Sequence, residues 1–282
     1  GIMDQPVMIK DGVYWIGALD PGLVVFDIVI PTKHGTTYNS YLVKGEKIAV
    51  IETVKSYCVD GFISKIRSLV RPEDIDYIII NHTEPDHSGG LIRLMELAPN
   101  AIPVFSRGAR TFVKNILHKE FDYKEVKAGD SIDLGGKVLK FISAPFLHWP
   151  DTMFTYLETD KILFPCDAFG SHYCSDKRFN DELDSKEDAF TAYEFYYDTI
   201  LRPFKKYVID ALENIKDIDI DIIAPSHGPI LRENIEKYID AYREWAGKTK
   251  KYPDKKKIVI IYVSSYGSTQ KMAESIYRGA CQ

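Results

Sequence analysis

The stretch Asn81–Gly90, NHTEPDHSGG, constrains this chain more than any other. It places two histidines, a glutamate and an aspartate within six residues, as His82-x-Glu84-x-Asp86-His87. The run before it, Asp76–Ile80 (DYIII), is short, apolar and β-branched, and reads as a buried strand with Asn81 at its end. After it, Gly89 and Gly90 lead into LIRLMELA, where Leu91, Leu94, Met95 and Ala98 share one helical face. The cluster therefore sits on a strand-to-helix loop, where a rigid scaffold can hold several side chains around one point. A solvated turn is ordinarily built from Lys, Asp and Ser, so this composition points to a metal site.

A metal site needs further donors, and the chain offers them at isolated, apolar-flanked positions. His148 lies in APFLHWPDT, Asp167 in ILFPCDAFG and His227 in IIAPSHGPI, each after a strand-like run and before a turn. Singly, each reads equally well as a structural residue. Together with the first motif they make seven nitrogen and oxygen donors. That number suits two metals sharing a carboxylate, as in two-metal sites whose ions lie about 3.5–4 Å apart.

The order H-x-[HE]-x-D-H, then H, then D, then H, resembles the metallo-β-lactamase superfamily. The intervals are 60 residues between His87 and His148, 18 between His148 and Asp167, and 59 between Asp167 and His227. Hydrolytic members carry His at the position of Glu84. Glutamate there, with HWPD and DAFG around the later donors, resembles the flavodiiron proteins, which reduce dioxygen or nitric oxide, and the likeness covers nearly the whole chain. The resemblance implies that His82, Glu84 and His148 bind one iron, that Asp86, His87 and His227 bind the other, and that Asp167 bridges them. In some members the residue matching His87 is swung away from the metal.

The resemblance further implies that FMN supplies the electrons, delivered by a small redox protein such as rubredoxin or by a reduced flavin-type donor. It also implies a head-to-tail homodimer, or a dimer of dimers, that sets the flavin of one subunit beside the metals of the other. In this family a tyrosine from an aromatic-rich segment reaches the open face of the metals; within YEFYY, Tyr197 is the choice and Tyr196 the alternative. His172, in FGSHYC, reads equally as a neighbour of the site or as a packing residue. Some members place a histidine behind the site near His34, but the spacing here brings Phe26 or Asp27 to that point. His118, in KNILHKE, reads as a surface residue. Two other readings compete: a dinuclear zinc hydrolase, against which Glu84 speaks, and a metal-free interaction module, against which the complete donor set speaks.

The rest of the chain fits a two-sheet architecture. From Val13 to Val54 the pattern is strand after strand (VYWIGAL, LVVFDIVI, SYLVKGEKIAVIETV), with Gly45 marking a hairpin turn. Helix is expected over about Val59–Leu69, ended by Pro72, and again near Arg110–Phe121 after the strand IPVFS. A second set of strands runs from Tyr123 to about Phe169, broken at Gly135-Gly136 and Thr159-Asp160. Ser185-x-x-Asp188 is a capping signal for a helix running through Tyr193–Ile200, which Pro203 should kink or end. A last helix, Glu233–Ala246, stops at Gly247. The fold class is α+β, an αββα sandwich of the metallo-β-lactamase type with the metals between the sheets at one edge.

The domain reading is residues 1–250 for the di-iron domain, 251–257 for a Lys-rich linker and 258–282 for the start of a second domain. KTKKYPDKKK holds six lysines around Pro253 and reads as a solvated linker. KIVIIYV, SSYGST and QKMAESIYRGA follow as strand, hydroxyl-rich loop and amphipathic helix, the arrangement that cradles a phosphate at a helix N-terminus. The loop, residues Ser264, Ser265, Tyr266, Gly267, Ser268 and Thr269, resembles the FMN-phosphate loop of flavodoxins. Only the first βα unit of a flavodoxin-like sheet is present, so this chain is expected to hold iron and to hold FMN weakly or not at all.

Net charge is −5, which argues against nucleic acid, and no apolar run reaches the length of a membrane span. Cys58, Cys166, Cys174 and Cys281 are scattered without a CxxC, which fits reduced thiols in a cytoplasmic protein. If Asp167 faces the metals from a strand, its neighbour Cys166 points the other way, into the core.

Overall fold

The computed structural model describes residues 5–27, 29–118, 120–248, 260–262, 264 and 267–281. It separates into two compact units, residues 1–247 and 248–282. Among the described residues no helix is long and apolar enough to cross a membrane.

The first unit is two facing sheets flanked by helices. One sheet has seven strands in the spatial order Val7–Lys10, Val13–Trp15, Tyr41–Lys44, Ile48–Ile51, Tyr77–Ile80, Ile102–Ser106 and Lys124–Val126. Pairing is antiparallel through Ile48–Ile51 and parallel beyond it. The second has five strands, Ser131–Asp133, Val138–Ser143, Met153–Leu157, Ile162–Phe164 and Ile222–Ile223, antiparallel except for the last pair.

The strand periodicity of two assigns each side chain to a layer. In the first sheet Tyr41, Val43, Ala49, Ile51, Ile79 and Val104 face the second sheet, where they meet Leu139, Phe141, Leu157, Ile162 and Phe164. The alternating residues Leu42, Val50, Ile78, Ile80 and Phe105 face outward and pack on the helices Val59–Leu69 and Leu91–Leu97. On the second sheet Phe154, Tyr156 and Leu163 face the helices Lys186–Tyr196, Lys205–Ile215 and Ile235–Gly247. Strands such as YIII and IAVI are therefore buried on both faces, which is why they read as unbroken apolar runs rather than alternating ones.

Several boundaries differ from the sequence expectation, each for a local reason. LVVFDIVI is not one strand: Val25–Phe26 and Ile30–Pro31 pair with each other, and Asp27 between them has a left-handed φ of 47°. The helix from Arg110 stops at Leu117, because His118 adopts φ 51° and caps it; His118 itself is exposed, as expected. The helix begun at Ser185, whose hydroxyl accepts from the Asp188 N–H, is α-helical only to Tyr196. A π-helical segment, Tyr197–Leu201, follows, then the 3-10 turn Arg202–Phe204 around Pro203, which has no N–H to donate.

In the second unit, Ser268–Ala280 is a helix with Gly267 at its N-cap, at φ 80°. Of the predicted strand 257–263, the described residues Ile260, Ile261 and Tyr262 carry no strand pairing. The predicted linker, residues 251–257, lies outside the described residues.

Candidate metal centre

All the sequence-predicted metal donors come from the segments that follow strands at one edge of the sandwich, Asp86 and His87 from the one-turn helix Pro85–Ser88. His82, Glu84, Asp86 and His87 follow Tyr77–Ile80, His148 follows Val138–Ser143, Asp167 follows Ile162–Phe164, and His227 follows Ile222–Ile223. Asn81 fastens the two sheets at this edge. Its carbonyl accepts from the Met153 N–H at 3.0 Å, its Oδ1 accepts from Thr155 Oγ1 at 2.7 Å, and its amide donates to the Phe164 carbonyl at 3.2 Å. The His227 loop is held similarly, with Asn39 Nδ2 and Tyr41 Oη both donating to the Pro225 carbonyl, at 2.8 and 2.6 Å.

The seven side chains converge on Asp167. Its Oδ2 lies 3.5 Å from His148 Nε2 and 3.7 Å from His82 Nε2, and both imidazoles are 3.0 Å from Glu84 Oε2. Its Oδ1 lies 3.1 Å from His87 Nε2 and 3.5 Å from His227 Nε2, and these two imidazoles lie 3.4 and 3.1 Å from the Asp86 oxygens. One carboxylate thus presents one oxygen to each of two groups of donors. Both Asp167 oxygens, Asp86 Oδ1 and His87 Nε2 are buried without a hydrogen-bond partner. Leaving so many buried polar atoms unpaired costs roughly 1–3 kcal/mol each, and all of them aim at the same small volume. This donor set fits cations: each of two overlapping groups, His82–Glu84–His87–Asp167 and Asp86–His87–His227, brings its donor atoms within 4.8 Å of one another.

The electrostatics favour ligation by carboxylates. Burial works to raise the Asp86 carboxyl, but His87 and His227 hold it down at about 2. Asp167 is likewise driven well below the ordinary range, against burial, by His87, His82 and His148. Glu84 is lowered, against burial, by its hydrogen bonds to His148 and His82. In return, burial would lower the imidazoles of His82, His87 and His148, and the surrounding carboxylates outweigh it, so all three are raised above 6.5.

Behind the donors stand groups that sequence reasoning did not assign. Asp151, fully buried, meets His82 Nδ1 at 3.0 Å through one oxygen, and its other oxygen accepts from the Thr83 N–H and Oγ1 at 2.7 and 2.8 Å. His227 Nδ1 meets the Thr37 carbonyl at 2.6 Å. Glu52 Oε2 lies 3.5 Å from His87 Nδ1, and burial pushes the Glu52 carboxyl up to about 7. The signals were available: a lone acid at the end of the apolar strand in IAVIETV, and the aspartate of HWPD. Neither identifies its partner without the fold.

The structure separates the remaining candidates. Tyr196 reaches the site, its ring 4.8 Å from His172 and 6.1 Å from His227. Tyr197, the residue chosen from sequence, turns away onto Tyr242 and Trp245, at 4.9 and 5.2 Å. Adjacent helical residues point about 100° apart, and Tyr197 opens the π segment that shifts the helical phase. His172 lies beside the cluster, its ring 5.4 Å from His227 and its Nδ1 2.9 Å from Thr36 Oγ1. Burial and the neighbouring His227 push its imidazole down to about 3, so it stays neutral. Phe26 packs on His172 and His227 at 4.4 and 5.4 Å, whereas His34 packs on Tyr173. Cys166 is buried, as expected, but not for the strand reason: it has a left-handed φ of 57° beyond the strand end and donates its S–H to Glu52 Oε2 at 3.3 Å. In the second unit Ser264, Gly267, Ser268 and Thr269 are described, and Gly267 makes no side-chain cap bond; Ser265 and Tyr266 lie outside the described residues.

Comparison with known proteins places the chain among relatives of the same fold. Residues 36–228 match the family model described as ODP family beta lactamase. The chain is 44% identical to the flavo-diiron protein FprA2 of Clostridium acetobutylicum, over 97% of this chain and 69% of that protein. It is 40% identical to a nitric oxide reductase of Moorella thermoacetica, over 98% of this chain and 69% of that protein. The fold superposes on rubredoxin oxygen:oxidoreductase of Desulfovibrio gigas with a TM-score of 0.83 at 30% identity, covering 86% of this chain and 61% of that one. The chain thus spans about two thirds of the length of these relatives. With its donor order, its two-sheet fold and these relatives in agreement, the chain belongs to the flavodiiron protein family, on a metallo-β-lactamase-like fold.

Proposed function

We propose that residues 1–250 form the di-iron domain of an oxidoreductase that reduces dioxygen to water, nitric oxide to nitrous oxide, or both. The observation that carries this reading is Asp167, whose two oxygens face two separate groups of buried donors. His82, Glu84 and His148 would hold one iron, Asp86, His87 and His227 the other, and Asp167 would bridge. Two ferrous ions there would supply open positions for a diatomic gas and one electron each, which zinc cannot.

The chain's own residues then have distinct tasks. Asp151 and the Thr37 carbonyl accept hydrogen bonds from the Nδ1–H groups of His82 and His227 and so turn their Nε2 atoms inward. His148 and Glu84 are the partly exposed members and mark the open side of the cluster. Burial raises the Tyr196 phenol well above its ordinary range, with Asp167 adding to the effect, so it stays protonated and can donate a hydrogen bond towards the site. The loop Ser264–Thr269 is proposed as the phosphate end of an FMN site, and the electron donor as a small redox protein such as rubredoxin. We further propose a cytoplasmic protein that assembles as a head-to-tail homodimer or a dimer of dimers.

The test is anaerobic: the chain is loaded with iron, chemically reduced, and mixed with two equivalents of NO, which consume the two electrons of one chain, or with half an equivalent of O2, whose four electrons two chains supply. Stoichiometric oxidation of both irons, with N2O formed from NO, supports the reading. A chain that instead takes up two zinc ions and hydrolyses esters or amides would replace it with the hydrolase alternative.

A further inference from the structure

His87 is the donor whose two nitrogens face different neighbours. Nε2 lies 3.1 Å from Asp167 and 3.4 Å from Asp86, without a hydrogen-bond partner, while Nδ1 lies 3.5 Å from Glu52 Oε2. A neutral imidazole carries one N–H, and only its bare nitrogen can ligate. Whatever stands beside Nδ1 therefore decides whether Nε2 is available.

Glu52 is held in place from every side. It follows the strand Ile48–Ile51, and its N–H donates to the Ile79 carbonyl at 2.8 Å while its own carbonyl accepts from Ser40 Oγ at 2.8 Å. Oε1 accepts from the Asn81 N–H at 2.5 Å and Oε2 from the Cys166 S–H at 3.3 Å. Its φ is 63°, a left-handed conformation that a non-glycine residue keeps only where its surroundings over-determine it. Capping the Asn81 N–H alone would require one acceptor. The second oxygen faces Nδ1 while already accepting from a thiol, so a proton on Nδ1 has an oxygen acceptor opposite it.

We propose that Glu52 is the positioning residue for His87: it keeps the ring proton on Nδ1 and the bare Nε2 aimed between Asp86 and Asp167, so that His87 completes the second iron subsite instead of swinging away. This rests on the di-iron reading. Glu52→Gln tests it with almost no change in shape. The amide oxygen retains the Asn81 bond, and the NH2 group now donates to Nδ1 and moves the ring proton to Nε2.

The expected result is iron binding at one subsite weakened roughly 10–100-fold, the usual effect of losing a ligand's outer partner. X-ray absorption should count one imidazole fewer and one of the two Mössbauer doublets should shift, while circular dichroism of the metal-free protein shows the fold retained. In a His87→Ala background, Glu52→Gln should add nothing. Wild-type iron affinity and imidazole count in Glu52→Gln, or losses that multiply in the double variant, would overturn the proposal. An independent measurement needs no variant: 15N-histidine NMR of the zinc-loaded wild-type chain should show His87 as the Nδ1–H tautomer, and the Nε2–H tautomer would refute it. A wild-type chain that cannot bind two irons would instead remove the di-iron reading, and this proposal with it.

Discussion

Replacing Asp167 by alanine should empty the site while leaving the sandwich standing. The side chain is buried, makes no hydrogen bond, and faces four imidazole nitrogens at 3.1–3.7 Å. Losing only an outer partner of a metal ligand costs about 10–100-fold in affinity. A shared ligand should cost at least the upper figure at each subsite, or about 2.8 kcal/mol at 1.4 kcal/mol per tenfold. The cost to the metal-free fold should be smaller than the ~3–5 kcal/mol of a broken buried ion pair, because the imidazoles can shed the protons that Asp167 helped them hold. Asp167→Asn refines the test, since it keeps one acceptor oxygen and turns the other end into a donor, so one iron should remain. The assay is iron per chain after gel filtration, with calorimetry of the metal-free forms. An Asp167→Ala chain that retains two spin-coupled irons would refute the bridging argument.

Asp151→Asn should weaken one iron roughly 10–100-fold and spare the other, because its amide cannot accept from both His82 and Thr83; stepwise iron titration would show one step displaced. Tyr196→Phe should slow single-turnover NO or O2 consumption about tenfold, the worth of one hydrogen bond of ~1.4 kcal/mol, whereas Tyr197→Phe should leave the stopped-flow rate unchanged. The metal-free protein should be most stable between about pH 4.5 and 6.5. The raised imidazoles of His82, His87 and His148 contribute stability that is present below 6.5 and lost as pH rises through their folded values. The lowered carboxyls of Glu84, Asp86 and Asp167 contribute stability that is present above about 4.5 and lost as pH falls. Iron requires the imidazoles deprotonated, so the gap in melting temperature between iron-loaded and metal-free protein should widen as pH rises. A gap that narrows would contradict the assigned signs.

The donors were legible in the sequence because a ligand set concentrates rare residue types at strand ends, and His82-x-Glu84-x-Asp86-His87 does so within one loop. The fold was legible for a related reason: strands buried on both faces, such as YIII, leave unbroken apolar runs. What stayed hidden depends on distances across the sandwich. Glu52 is 35 positions from His87 and Asp151 is 69 from His82, yet each backs that histidine's ring. No local periodicity reports such a pairing. The choice of Tyr197 over Tyr196 turned on a helical phase that the π segment Tyr197–Leu201 alters, and that segment arises from packing and from Pro203 rather than from any apolar repeat. Asp27 broke an apparent strand because LVVFDIVI, with Val24 and Val29 both exposed, has too little burial to hold a continuous ladder.

The central claim is that Asp167 joins two irons, and the most direct test is Mössbauer spectroscopy of the chain loaded with 57Fe, combined with metal analysis. The account predicts about two irons per chain, held as a spin-coupled pair that gives no EPR signal when both are ferric. Two zinc ions per chain, two magnetically independent irons, or no stoichiometric metal would contradict it.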